Sequence, residues 1–204
     1  MGLHRRTWRH NQVLKVIQDW FKKKIGDINK GNPPKMEKLV KISFVKEGRA
    51  ATTKNKKTNR NDARWEGKWK VEADLETSLV FPLVTTTQRP DLVVWNEDSK
   101  KAIVMELTVS WEENIGAAED RKAERYKNLI EKCEDEGWET EYHHIGIRAR
   151  GFIDKGFHHL VRNRCGFTQS EASKMIKEIQ QTVEKASMWL WLKRDDPSWS
   201  PTSN

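Results

Sequence analysis

Two carboxylates, Asp91 and Glu106, stand in apolar surroundings where an unpaired charge would be unfavourable. Asp91 directly precedes the apolar run 92–95, and Glu106 lies inside a second apolar run, 102–109. A buried strand tolerates a carboxylate only where a partner compensates its charge. If the two runs pair as the strands of a hairpin, the start of the first lies beside the end of the second. We therefore expect the two carboxylates to converge at one edge of a sheet.

The chemistry that such a pair would support is metal-assisted attack on a phosphodiester. Two carboxylates and a backbone carbonyl form a hard oxygen site that suits Mg²⁺. A metal held there activates water and neutralises the charge that develops on the phosphodiester. The alternative is structural, and it makes Asp91 a turn residue and Glu106 an ion-paired residue of the sheet.

A lysine, Lys122, falls in the middle of the apolar side of a predicted helix over 112–136. The apolar residues that share this side at helical spacing are Ile115, Ala118, Tyr126, Leu129 and Cys133. A lysine there needs a negative partner or a path for its ammonium group to reach water. The two carboxylates would supply that partner. The alternative is that the lysine stem only covers apolar surface.

The elements that must position these residues follow from apolar spacing and turn residues. The sequence predicts a helix over 6–25, strands over 68–75, 92–95 and 102–109, a helix over 112–136 and a strand over 141–147. This order indicates a layered α/β or α+β domain.

The C-terminal part is predicted to be helical. Thr168, followed by Glu171 three residues later, is a capping box that predicts a last helix to about residue 186. We expect a single domain over 1–204, with a helical extension over 167–199.

Charge is distributed unevenly along the chain, whose net charge is +8. Residues 1–70 hold 20 Lys and Arg against 6 Asp and Glu, whereas residues 71–204 are net acidic. A basic part beside a carboxylate-rich part suggests that the first third grips nucleic acid. The stretch 46–64 is polar, basic and almost free of large apolar residues. It is predicted to be a flexible loop that either follows a DNA backbone or is a solvated charge run.

Other features concern the compartment. No stretch approaches the roughly eighteen consecutive apolar residues of a membrane-spanning helix. The basic N-terminus has no apolar segment behind it, so it does not look like a secretory signal. Cys133 and Cys165 fit neither a metal motif nor a disulfide framework. We expect an intracellular protein, located in the nucleus, with no membrane partner.

These residues resemble a known family. Pro90-Asp91, then fourteen residues, then Glu106-x-Thr108 is similar to the PD-(D/E)xK nuclease signature. One branch is a closer match: the restriction-like endonuclease domain of site-specific non-LTR retrotransposons and of domesticated genes derived from them. The segments that resemble that branch or reverse-transcriptase-related proteins are Arg9-His10-Asn11, Arg89-Pro90-Asp91-Leu92-Val93-Val94-Trp95, Glu106-Leu107-Thr108-Val109, Arg121-Lys122-x-x-x-Tyr126, Arg150-Gly151-Phe152 and Trp189-Leu190-Trp191-Leu192.

The resemblance implies an α/β restriction-endonuclease-like core, a central mixed sheet flanked by helices in αβββαβ order with extra C-terminal helices. It implies Mg²⁺ or Mn²⁺ held by Asp91, Glu106 and the Leu107 carbonyl. The family's usual lysine, two residues after the glutamate, is Thr108 here. Lys122 is the candidate to replace it, which would make Asp91, Glu106 and Lys122 the catalytic residues. The implied partners are DNA and a reverse transcriptase domain or a retroelement RNA–protein complex.

Several residues are candidates for contact with nucleic acid. They are Arg6, Arg9, His10, Asn11, Lys54, Lys56, Lys57, Arg60, Arg64, Arg89 and Tyr126. His10 shares a helix face with Val13 and Ile17, so it is either a buried, hydrogen-bonded histidine or a contact near the scissile phosphate. Arg6 and Arg9 are phosphate contacts or solvated charges rather than catalytic groups.

Three further groups have weaker patterns. Asp74 is either a third site carboxylate or an ordinary acid at a strand end. The pairs His143-His144 and His158-His159 lack companion ligands at zinc spacing. Trp189 and Trp191 are expected to pack on the core or on a partner domain, with base stacking as the alternative.

The function expected from these features is metal-dependent hydrolysis of DNA phosphodiesters, nicking target DNA for retroelement integration. One alternative is an inactive nucleic-acid-binding module with the same fold, which the threonine at position 108 favours. The other is a resolvase-like nuclease that recognises branched DNA.

Overall fold

The structure is a computed structural model that describes residues 3–32, 65–75, 78–111 and 115–196, without the side chains of 3–6 and 115–123. The predicted basic loop 46–64 lies outside the described residues. The side chains of Arg6 and Lys122 also lie outside them, as do the loop cations Lys54, Lys56, Lys57, Arg60 and Arg64.

A four-stranded mixed sheet forms the centre of the fold. Its strands are β1 (Trp69–Ala73), β2 (Leu92–Asn96), β3 (Lys101–Ser110) and β4 (Glu139–Arg148), in that spatial order. β1 pairs with β2, and β2 with β3, in antiparallel orientation, whereas β3 pairs with β4 in parallel. β2 and β3 are the predicted hairpin, and every residue of β2 is buried. Buried strands with few polar positions are typical of a sheet that is covered on both faces.

Within the described ranges, four helices cover the sheet. They are α1 (Leu3–Asn29), α2 (Ile115–Asp135), α3 (Lys155–Asn163) and α4 (Gln169–Leu192). The chain is therefore an α/β fold with a mixed sheet flanked by helices, with two helices after the last strand. Within the described ranges, no helix is both long and apolar enough to cross a membrane.

Alternate residues of the strands supply two separate cores. On one face, Leu92, Met105 and Leu107 pack with α1, α3 and α4 in the larger core. On the other face, Val93 and Val104 pack with α2 in the smaller core. The two carboxylates of interest lie where β2 begins and β3 nears its end, at the rim of both cores.

The helix ends have identifiable causes. The predicted capping box is present, because Thr168 accepts from the Glu171 N–H and the Glu171 carboxylate accepts from the Thr168 N–H. α4 continues to Leu192, past the predicted end near residue 186, since Val183, Ala186 and Leu190 remain buried against α1 and α3. α2 ends two residues before Gly137, which has a φ of 78° that suits glycine.

Candidate active site

The hairpin brings Asp91 and Glu106 together. Leu92 is the register partner of Met105, so the residue before β2 lies beside the residue after Met105. The backbone N–H of Asp91 donates to Glu106 Oε2 at 3.3 Å, and the N–H of Leu107 donates to Asp91 Oδ2 at 2.6 Å. The structure thus contains the convergence that the apolar runs predict.

Glu106 is buried, with 6% of its surface exposed, and it is held by Tyr126 of α2. The Tyr126 hydroxyl lies 2.9 Å from Glu106 Oε2 and 3.0 Å from the Arg89 carbonyl oxygen. Burial raises the pKa of the Tyr126 hydroxyl far above its ordinary value, and the nearby Glu106 carboxylate raises it further. The tyrosine therefore stays protonated and acts as a donor to this site.

His10 of α1 contacts the other carboxylate. Its Nε2 lies 3.2 Å from Asp91 Oδ2, and its Nδ1 lies 3.2 Å from Asn11 Oδ1. The imidazole is partly exposed, so it is not a fully buried core histidine. The Arg-His-Asn segment is placed at the carboxylates by α1, which packs across the opposite side of the sheet from α2.

Thr108 stands two residues after Glu106 on β3, with a histidine as its neighbour. His144 Nε2 lies 2.9 Å from Thr108 Oγ1, and His144 is the register partner of Glu106 on β4. No local pattern in the sequence predicts a role for His144. Its proximity depends on parallel pairing between strands 36 positions apart, which no local pattern reveals.

The backbone of Asp74 contacts Asp91, whereas its side chain accepts a hydrogen bond from another residue. Its N–H donates to the Asp91 carbonyl oxygen at 2.9 Å, because β1 ends beside the start of β2. Its Oδ1 accepts from the Leu79 N–H at 2.8 Å. These bonds fit the structural role of an acid that stabilises a turn at a strand end.

Arg9 and Tyr126 occupy different environments from those expected of nucleic-acid contacts. Arg9 is 1% exposed, and its guanidinium donates to Ser187 Oγ and to the Val109 carbonyl oxygen. A group enclosed to this degree does not present itself to a phosphate. Tyr126 is equally buried and directs its hydroxyl at Glu106. Arg89, by contrast, is exposed, with Nη1 donating to Ser78 Oγ at 2.8 Å.

The two tryptophans near the end of α4 do not pack into the described core, which leaves the predictions of a partner domain or of base stacking untested. Trp189 is 45% exposed and Trp191 is 55% exposed, so neither indole is enclosed by the described core.

His143 Nε2 lies 3.2 Å from Glu141 Oε2.

The oxygen atoms at the hairpin edge fit a hard divalent cation. Among the described residues, Asp91 Oδ1 has no hydrogen-bond partner. The Leu107 N–H points towards Asp91, and in a strand the carbonyl of the same residue points to the same side. The described part of the chain contains no cluster of three His, Cys, Asp or Glu side chains suited to a metal. A metal here would therefore depend on two carboxylates and a carbonyl.

No protein-family model matches this chain, and no curated protein matches it.

Proposed function

We propose that this protein is a metal-dependent DNA endonuclease with a restriction-endonuclease-like core, which nicks target DNA for retroelement integration. The observation that carries the proposal is the contact between Asp91 and Glu106 at one end of an otherwise apolar hairpin. The sheet keeps a carboxylate in its interior and fixes it with a tyrosine hydroxyl. Such an arrangement is unfavourable for stability alone, which favours a chemical role.

Asp91, Glu106 and the Leu107 carbonyl would hold Mg²⁺ or Mn²⁺. When bound, the metal supplies an activated water and neutralises charge on the phosphodiester. The chain's own contribution is to fix the ligands. The Leu107 N–H holds Asp91 from the backbone of β3, and the Tyr126 hydroxyl holds Glu106 from α2. Ligands that are oriented by such outer contacts bind metal more tightly.

Lys122 is the residue that we propose assists the attacking water or the transition state. Position 122 is one helical turn before Tyr126, so the two positions share one face of α2. That face packs against the side of the sheet that carries Val104 and Glu106. A lysine from this helix would replace the family's lysine at the position of Thr108.

The basic first third of the chain would hold the DNA. Its cations between 46 and 64 would contact phosphates, as would the exposed guanidinium of Arg89, whose backbone carbonyl accepts from Tyr126 at the site. Binding through phosphates is independent of base sequence and weakens steeply as salt increases. Arg9 has no part in this proposal because it is buried.

One observation favours an inactive DNA-binding module as the second candidate. Asp91 Oδ2 is already engaged by the Leu107 N–H and by His10, and Glu106 Oε2 by Tyr126 and the Asp91 N–H. These internal bonds stabilise both carboxylates without a metal. A protein that had lost activity could retain them for stability.

The test is nicking of supercoiled plasmid in Mg²⁺ or Mn²⁺ by wild type, Asp91→Asn and Lys122→Ala. Asparagine keeps an acceptor for the Leu107 N–H and removes the charge that a metal requires, so folding is preserved. The matched controls are Asp98→Ala, in the turn at the far end of the hairpin, and Lys127→Ala, on the exposed side of α2.

We expect wild type and both controls to nick the plasmid and both site variants to fail. Loss in Asp91→Asn alone would remove Lys122 from the mechanism and keep the nuclease. A wild type that binds DNA in a salt-sensitive manner without nicking it would favour the inactive module.

A further inference from the structure

The end of α4 and the segment after β3 enclose a groove that the nuclease proposal does not use. Its volume is about 360 Å³. Trp111 and Trp191 are 45% and 55% exposed there, which is unusual for large apolar side chains in a folded domain. The exposed side chains that line the groove are Trp111, Arg150, Glu184, Met188 and Trp191.

We propose that this groove binds an unpaired base of a single DNA strand, an inference that rests on the DNA-directed function proposed above. Indole faces stack on bases, and this interaction tolerates every base because each has a flat face. The volume lies at the lower end of the range for small-ligand sites, roughly 300–1,000 Å³. It suits one base better than a protein helix or strand.

The charges around the indoles favour a polyanion over an apolar protein segment. The Arg194 guanidinium lies 4.2 Å from the centre of the Trp191 ring, and Arg194 is exposed. Arg150 is exposed at the groove wall. Cations beside aromatic platforms are the combination that single-stranded nucleic acid requires, because bases stack while phosphates need neutralising.

Glu184 gives the groove a preference among bases. It is the one acidic side chain among the described lining residues, and it is exposed. A carboxylate repels phosphates but accepts a hydrogen bond from an exocyclic amino group, as on cytosine N4. Thymine lacks such a group. The groove should therefore bind cytosine in preference to thymine.

The first turns of α1 lie between the groove and the carboxylate site. Consecutive residues of α1 touch both, because Arg9 contacts Trp111 and His10 contacts Asp91. Along β3 and the residue that follows it, the five steps from Glu106 to Trp111 span roughly 16 Å at strand spacing. That length corresponds to about five nucleotides of one strand. A strand with a base in the groove can thus pass a phosphate over the carboxylates.

The test is fluorescence anisotropy with labelled oligonucleotides of about twelve nucleotides, all cytosine or all thymine, in EDTA so that cleavage plays no part. We expect Trp191→Ala to raise the Kd for the cytosine oligonucleotide about tenfold, the loss of one stacked base. The matched control is Trp189→Ala, because Trp189 lies on the same helix and is 45% exposed but does not line the groove. It should change the Kd less than twofold, because a surface substitution away from the binding groove usually has only a small energetic effect.

The second variant is Glu184→Ala, which should abolish the preference for cytosine over thymine whatever it does to overall affinity. Equal losses in Trp191→Ala and Trp189→Ala would overturn the proposal. So would an unchanged Kd in Trp191→Ala together with reduced self-association, which would make the groove a contact between copies. Because binding is measured without metal, its result does not depend on plasmid nicking. Base binding in the groove can be confirmed even if nicking fails, and it can be refuted even if nicking succeeds.

Discussion

The hydroxyl of Tyr126 lies 2.9 Å from Oε2 of Glu106, so a residue of α2 orients the buried carboxylate of β3. The two residues are 20 positions apart and belong to opposite layers of the smaller core. The raised pKa of Tyr126, caused first by burial and then by Glu106, keeps the donor protonated at neutral pH.

We expect Tyr126→Phe to weaken metal use more than it weakens the fold. Loss of the hydroxyl removes one donor from Glu106 and should lower the free energy of unfolding by about 1 kcal/mol. The Mg²⁺ concentration for half-maximal nicking should rise by about tenfold or more, as for other outer contacts of metal ligands. Magnesium titrations of nicking and urea unfolding measure the two effects.

The control for this prediction is Tyr142→Phe. Tyr142 stacks on Tyr126 with ring centres 5.3 Å apart, and the variant leaves the bond from Tyr126 to Glu106 in place. An identical magnesium response in both variants would mean that Tyr126 has no role in orienting Glu106.

Thr108→Lys tests whether a lysine on β3 can replace one on α2. Position 108 points to the same side of the sheet as Glu106, since side chains alternate along a strand. We expect Thr108→Lys to restore nicking to the inactive Lys122→Ala variant. Thr108→Met in the same background is the uncharged control for side-chain length. A folded double variant without activity would contradict the assignment of Lys122.

Arg9→Met should destabilise the protein without altering how it holds DNA. The guanidinium is buried and donates to Ser187 and to the Val109 carbonyl, so its removal leaves enclosed acceptors with fewer donors. We expect a loss of about 1–3 kcal/mol in the free energy of unfolding. The salt dependence of DNA binding should stay as in wild type, with the exposed Lys15→Met as the control for a lost charge on α1. A shallower salt dependence in Arg9→Met alone would instead indicate a phosphate contact.

The ion pair between α1 and the start of α4 should make stability depend on acidity. Burial acts to raise the pKa of Glu171, but the bond from Lys24 Nζ at 2.8 Å and the Thr168 N–H lower it overall. A lowered pKa in the folded state means that the contribution is present above the unfolded pKa of about 4.3 and is lost as pH falls below it.

Lys24→Met should therefore reduce the free energy of unfolding at about pH 7 and much less at about pH 3. The expected reduction at neutral pH is about 0.5–1 kcal/mol, because Glu171 is about one-third exposed and solvent screens the pair. Urea unfolding at both pH values measures it. The exposed pair of Lys70 and Glu97 provides the control, since Lys70→Met should have little effect at either pH. A pH-independent loss in Lys24→Met would assign the effect to packing on Phe167 instead.

Local patterns predicted the hairpin and the meeting of Asp91 with Glu106, because apolar runs and a turn fix the pairing of neighbouring strands. The capping box at Thr168 was equally readable, since its partners are three positions apart. The burial of Arg9 could not be predicted. Its partner Ser187 is 178 positions away, and a charged residue is by default placed on the surface.

The sequence predicts His10 either as a buried histidine or as a contact near the scissile phosphate, but it does not identify Asp91 as its partner, and it predicts no role for His144. His144 reaches Thr108 through parallel pairing, and His10 reaches Asp91 because α1 crosses the sheet. Both contacts depend on tertiary packing rather than on spacing along the chain. Residues around a site that come from distant elements are therefore visible only once the layers are assembled.

The unequal size of the two cores has a consequence for partial unfolding. Glu106 is enclosed on the side that α2 covers, and among the described side chains fewer apolar residues are buried there than on the side of α1, α3 and α4. The free energy of opening a region scales with the apolar contacts that it must break. α2 can therefore detach while the larger core stays intact, and its backbone amides should exchange hydrogen sooner than those of β3. The carboxylate that the fold encloses most tightly thus lies behind the helix that is released most readily.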